Sequence, residues 1–139
     1  MNYLHTMIRV HDLDRALDFF VNKMGMKEVR RTESEKGQYT NVFLAASDGD
    51  LPLELTYNWH EPEPYATGRF FGHLAYAVDN IYEYCADLQS KGVDILRPPR
   101  DGKMAFIKAP DGQSIELLQA GDALPAEEPW ASMQNQGSW

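Results

Sequence analysis

The stretch His5-Thr-Met-Ile-Arg-Val10, followed by Asp12-Leu13 and, after an amphipathic run, by Gly25, has a second copy in the chain. The copy reads His73-Leu-Ala-Tyr-Ala-Val78, then Asp79-Asn80-Ile81, another amphipathic run, and Gly92. From aspartate to glycine the interval is the same, 25 − 12 = 13 and 92 − 79 = 13. Each aspartate is suited to cap a helix N-terminus, and each glycine to follow the last turn. Leu13, Leu17, Phe20 and Met24 fall near helical spacing in the first run, as do Ile81, Tyr84, Cys85 and Leu88 in the second. Strand then helix is the expected opening, twice.

Both copies also close alike. Asp48-Gly49 precedes Leu53-Glu54-Leu55, and Asp111-Gly112 precedes Ile115-Glu116-Leu117. An Asp-Gly turn followed by alternating residues marks the entry to a strand. Two further strands fit between opening and closing, near 27–32 and 39–45 in the first copy and near 94–96 and 104–108 in the second. The expectation is an α+β fold of two βαβββ repeats with helices outside curved sheets. The repeats span about 1–58 and 72–120 of a single domain at 1–120. The linker is 59–71, with its Pro-rich stretch at 60–68, and 121–139 forms a C-terminal tail. The tail opens with a linker-like Leu124-Pro-Ala-Glu-Glu-Pro129, yet carries Trp130, Met133 and Trp139. It is expected either to be disordered or to pack those side chains near the mouth of a site.

Strand alternation sets what each residue faces. Leu53 and Leu55 share a packing face, so Glu54 lies opposite them with Thr56 and Asn58. Glu116 is likewise opposed to Ile115 and Leu117. His5, Met7 and Arg9 share one face of the opening strand, opposite Leu4, Ile8 and Val10. His73, Ala75 and Ala77 do so in the second copy. A lone histidine at a strand start is ordinarily a surface residue, and a lone glutamate between leucines a solvated one. Duplication changes that reading, because the same two residue types recur at matching positions. His5, Glu54, His73 and Glu116 form a mixed N/O donor set suited to a divalent transition metal, with octahedral positions left open for substrate.

The bulk properties narrow the partners. With 139 residues, 43% hydrophobic and 24% charged, the chain has an ordinary globular composition. A formal net charge of −8 speaks against a nucleic-acid partner or an anionic membrane surface. No apolar run has the length of a membrane span, and no signal peptide is apparent, so the expected location is cytoplasmic. The single cysteine, Cys85, excludes an intrachain disulfide and is expected to be a small buried side chain.

With these motifs in hand, the chain resembles the short bacterial glyoxalase I (lactoylglutathione lyase) enzymes of the vicinal-oxygen-chelate superfamily. The likeness rests on His5-Thr-Met-Ile-Arg-Val, on Leu53-Glu-Leu-Thr-Tyr-Asn-Trp, on Gly72-His73-Leu74-Ala75, and on Asp111-Gly112 with Ile115-Glu116-Leu117. It spans about residues 3–118. The resemblance implies a homodimer with a metal site at the subunit interface, His5 and Glu54 from one chain and His73 and Glu116 from the other. It implies isomerisation of the methylglyoxal–glutathione hemithioacetal to S-D-lactoylglutathione, with Glu116 as the base and Glu54 as its partner for the other enantiomer. Glutathione enters as co-substrate, and Ni²⁺ is the favoured ion, with Co²⁺ and Zn²⁺ as alternatives. Arg9, Asn58 and Arg69 match positions that bind carboxylate ends of glutathione, Lys103 and Arg97 lie in a loop near its glycyl end, and Met104 and Phe106 would be apolar lining. The rival readings are another metalloenzyme of the same fold (a thiol transferase, an epimerase or an extradiol dioxygenase) and a drug-binding module. A dioxygenase needs one ligand fewer, and a binding module needs no metal.

Overall fold

The Asp12 carboxylate accepts from the backbone N–H of Arg15 at 3.0 Å and starts the first helix, as the sequence predicts. The computed structural model describes all residues, Met1–Trp139. Its chain divides into two compact units, Met1–Ala66 and Thr67–Trp139. The first contains β1 (Thr6–Arg9), α1 (Leu13–Leu17), β2 (Lys27–Ser34), β3 (Tyr39–Ala45) and β4 (Leu53–Asn58). Helix α1 continues into a wider turn over Asp18–Lys23, where Met24 N–H reaches back five residues to the Phe19 carbonyl at 2.9 Å. That widening turns both Phe19 and Phe20 into the core.

The first sheet runs β1-β4-β3-β2, with β1 parallel to β4 and the remaining neighbours antiparallel. In the second unit β5 (His73–Val78), α2 (Ile81–Ser90), β6 (Met104–Lys108) and β7 (Ser114–Gln119) follow the same plan. Its sheet runs β5-β7-β6, again with the opening strand parallel to the closing one. Mixed sheets with few helices, repeated in the same strand order, are the paired βαβββ arrangement expected from the sequence.

Two expectations are corrected. The strand at 94–96 is reduced to a single bridge, Arg97 with Phe106, in which Leu96 and Arg97 N–H both donate to the Phe106 carbonyl. Pro98 and Pro99 follow at once, and without amide hydrogens they cannot extend the ladder. The second helix is capped by Asn80 and not by Asp79: the Asn80 carboxamide oxygen accepts from Tyr82 and Glu83 N–H at 3.1 and 3.2 Å. Buried Gln119 competes for the neighbouring backbone. It accepts from Ile81 N–H and donates to the Asp79 carbonyl, at 2.9 and 2.8 Å, tying the helix start to the end of β7.

Helix α2 packs Ile81, Cys85 and Leu88 against β6 and β7, whose Ile107, Ile115 and Leu117 are fully buried. Burial pushes the Cys85 thiol up to about 12, so it stays protonated at neutral pH. Tyr82 is buried where helical spacing singled out Tyr84, because the segment after β7 covers it. Its hydroxyl donates to the Pro125 carbonyl at 2.9 Å and its ring stacks on Trp130, centroids 6.5 Å apart. Further along, Arg100 donates to the Met133 carbonyl and to Asn135, and Gln136 N–H to the Leu96 carbonyl at 2.8 Å. The segment is therefore laid along its own unit.

The tightest approach in this docking is at Gly102, where a Cβ would stand 2.0 Å from the Leu124 carbonyl oxygen, on a backbone with φ +66°. Gly102→Ala is expected to cost about 2–3 kcal/mol through that clash and the left-handed backbone. The midpoint of chemical denaturation measures it, and an unchanged midpoint would mean the segment is not held as described.

Candidate metal centre

Parallel pairing of first and last strands decides which side chains meet. In the first unit Thr6 stands beside Leu53 and Met7 beside Glu54, which leaves His5, just before β1, at the mouth of the same ladder. The His5 Nε2 atom lies 2.8 Å from Glu54 Oε2. Glu54 is buried, at 8% exposure, between the core residues Leu53 and Leu55. A carboxylate so placed needs a polar partner, and the imidazole is the one provided. Phe43, directly opposite Glu54 in β3, sets its ring against the His5 edge, 5.8 Å between centroids and 86° between planes.

The second unit repeats this in detail. His73 Nε2 lies 3.1 Å from Glu116 Oε2. Phe106, opposite Glu116 in β6, meets the His73 ring edge-on at 5.6 Å and 82°. The four predicted ligands are thus brought together as two pairs, one in each unit. No three of the chain's His, Cys, Asp or Glu side chains gather as a metal-holding group.

Each pair fits half of a metal site. Two donors about 2.1 Å from one ion, at right angles to one another, are about 3.0 Å apart. The observed separations of 2.8 and 3.1 Å fall on that edge length. Imidazole nitrogen with carboxylate oxygen is a donor set for Ni²⁺, Co²⁺ or Zn²⁺ alike.

Among the expected substrate contacts, Arg9 is exposed on β1, on the same side as His5 and Met7. Asn58 lies at the end of β4 and donates from its amide to the Tyr65 hydroxyl at 2.8 Å, with Tyr65 also edge-on to His11. Arg69 is exposed on the turn before β5. Lys103 points its ammonium at the carbonyls of Gln119 and Gly121, so a substrate carboxylate would compete with those partners. Arg97 is committed to Asp101 and to the Met104 carbonyl, a brace inside the loop.

Sequence reasoning missed Phe43 beside the first pair, Tyr65 beside Asn58, and Lys108 and Ser114 beside the second pair. Phe43 carried a signal: it precedes Glu54 by 54 − 43 = 11 residues, and Phe106 precedes Glu116 by 116 − 106 = 10. The extra residue lies in the longer loop between β3 and β4, which is why the match is not in strict register. Ser114 and Lys108 face each other across the β6–β7 ladder next to His73. Together with Thr67, Phe71 and Trp139 they line a cavity of about 330 Å³.

The sequence and this geometry have close counterparts. Residues 2–117 match the profile of the glyoxalase/bleomycin resistance protein/dioxygenase superfamily. A lactoylglutathione lyase of Neisseria meningitidis is 40% identical over 126 residues, covering 86% of this chain and 91% of that protein. The trypanothione-dependent glyoxalase I of Leishmania major superposes with a TM-score of 0.79 at 40% identity, covering 86% of each chain. Maize glyoxalase I superposes with a TM-score of 0.76 at 36% identity, over 86% of this chain and 44% of the longer maize one. With the repeat, the duplicated His–Glu pairs and these relatives in agreement, the chain belongs to the glyoxalase/bleomycin resistance protein/dioxygenase superfamily and, within it, to the glyoxalase I (lactoylglutathione lyase) family.

Proposed function

We propose that this protein is a metal-dependent glyoxalase I that isomerises the hemithioacetal of methylglyoxal and glutathione to S-D-lactoylglutathione. The observation that carries this reading is the duplicated pair, His5 with Glu54 and His73 with Glu116, at 2.8 and 3.1 Å. Two donors do not hold a catalytic ion alone, so the reading includes a homodimer in which the first pair of one chain and the second pair of its partner complete a four-ligand site. Ni²⁺ is the favoured ion, with Co²⁺ and Zn²⁺ as alternatives, and the cytoplasm is the inferred location.

A divalent ion held there would supply Lewis acidity toward the two vicinal oxygens of the substrate. The chain's own groups do the rest. The Glu116 carboxylate takes the proton from the carbon that bears sulfur and returns it to the adjacent carbon. The hydroxyl proton passes from one oxygen to the other, so nothing is gained or lost overall. Glu54 occupies the equivalent position for the opposite enantiomer. Phe43 and Phe106, edge-on to the imidazoles, fix the ring planes and keep apolar surface against the reacting carbons. Arg9 and Asn58 offer a guanidinium and an amide to the carboxylate end of glutathione, with Arg69 as a further cation.

Two His–Glu pairs, which supply four donors in the proposed dimer site, favour this reading over an extradiol dioxygenase or a metal-free drug-binding module. A similar enzyme with another carrier thiol is the trypanothione-dependent glyoxalase I of Leishmania major.

Chelation is expected to abolish formation of the thioester, followed by its ultraviolet absorbance, and Ni²⁺ or Co²⁺ to restore it. Full activity in metal-stripped protein would overturn the mechanism. Glu116→Gln should lower kcat by about 10²–10⁴ while bound metal, measured by elemental analysis, falls far less. Parallel loss of metal and turnover would make Glu116 a ligand only. Arg9→Ala should raise KM for the glutathione adduct about tenfold with kcat nearly unchanged, and an unaltered KM would remove Arg9 from the substrate site.

A further inference from the structure

The two His–Glu pairs are equivalent in backbone register but differ in what covers their phenyl rings. In the first unit the Arg30 guanidinium lies 3.8 Å above the centre of Phe43. In the second, the indole of Trp139 stacks on Phe106, centroids 5.5 Å apart and planes 21° apart. Phe106 in turn meets the His73 ring, so Trp139 stands one aromatic ring away from a proposed ligand. One half-site is thus walled by a cation and the other by an extended apolar shelf.

Trp139 is not a stray surface side chain. The backbone just before it is fixed, because the Lys108 ammonium donates to the Ser138 carbonyl at 2.7 Å. Upstream, Gln136 N–H and the Arg100 guanidinium hold the same segment to its unit. Trp139 keeps 41% exposure, whereas Trp130 is buried and the Trp59 indole donates to Thr40, so Trp139 alone of the chain's three tryptophans both stacks and faces open space. That space is the cavity of about 330 Å³, which adjoins the second pair through Gly72, next to His73, and through Ser114, its ladder partner. The volume is within the range of small-molecule sites, about 300–1,000 Å³. The segment that carries Trp139 lies beyond residues 2–117, the part of the chain that matches the superfamily profile.

We propose that Trp139 is a specificity-determining residue of the His73–Glu116 half-site: stacked on Phe106, its indole forms the wall against which a flat, apolar sulfur-linked substituent of a bound thiol conjugate lies. This rests on the proposed glutathione-conjugate reading of the same site. The shelf discriminates by shape and polarity. An aryl group gains an offset or edge-on contact with the indole and leaves water, whereas a methyl group has no ring to set against it. The cationic wall of Arg30 offers no such gain to an apolar group.

The test uses two non-reacting thioethers, S-benzylglutathione and S-methylglutathione, titrated calorimetrically into the metal-loaded full chain. The wild type is expected to bind the benzyl compound more tightly than the methyl one. Trp139→Ala should weaken the benzyl compound about tenfold and the methyl compound less than twofold, while Trp139→Phe, which keeps a stacking ring, stays near wild type. Equal weakening of both ligands by Trp139→Ala, no weakening of either, or a wild type that binds neither would overturn the proposal. Failure of the isomerase reading looks different: the conjugates would bind with this Trp139 dependence, yet the hemithioacetal would not be turned over.

Discussion

A carboxylate set into the middle of an apolar strand is costly to bury, and the fold meets that cost twice in the same way. Glu54 is buried between the core side chains Leu53 and Leu55, and Glu116 is half-buried between Ile115 and Leu117. Each needs a hydrogen-bonding partner at close range, or folding would leave an isolated charge out of water. Parallel pairing of the opening and closing strands delivers it, because a parallel ladder can place the residue that begins one strand beside the middle of the other. A helix must then cross over to connect parallel neighbours. The strand–helix crossover, the two intervening strands and the position of the imidazole all follow from that pairing.

Much of this was legible in the sequence, for a physical reason. Period-two alternation assigned Glu54 and Glu116 to the side opposite their leucine and isoleucine neighbours, and equal spacing from aspartate to glycine fixed both helices. Where reading failed, the deciding contacts are distant in sequence. Asn80 rather than Asp79 caps α2 because Gln119, almost forty residues away, occupies the backbone at Asp79 and Ile81. Tyr82 is buried because Pro125 and Trp130 come back over it. The candidate site divides along the same line. The His–Glu pairs come from local register, whereas Tyr65 beside Asn58 and Trp139 beside Phe106 depend on where loops return, which carries no periodic signature.

Duplication did not leave the two units identical. Their phenylalanines keep the same relation to the imidazoles, which shows that the geometry of the pairs is under tight steric control. Outside those pairs the units diverge. Arg30 reaches Phe43 from β2, a strand that the second unit lacks, while Trp139 reaches Phe106 from a segment that the first unit lacks.

The missing fourth strand has a consequence for self-association. An open sheet edge presents unpaired backbone groups to any other strand, including those of another molecule. The first unit exposes β2 at its edge, but that strand is Lys-Glu-Val-Arg-Arg-Thr-Glu-Ser and is bent by a bulge between Glu28 and Arg30. Charge and irregular pairing make it a poor template for addition. In the second unit the corresponding edge has shrunk to the Arg97 bridge, and Gln136 N–H already occupies the Leu96 carbonyl there. The chain thus blunts the β2 border of one sheet with charge and closes the β6 side of the other with its own backbone.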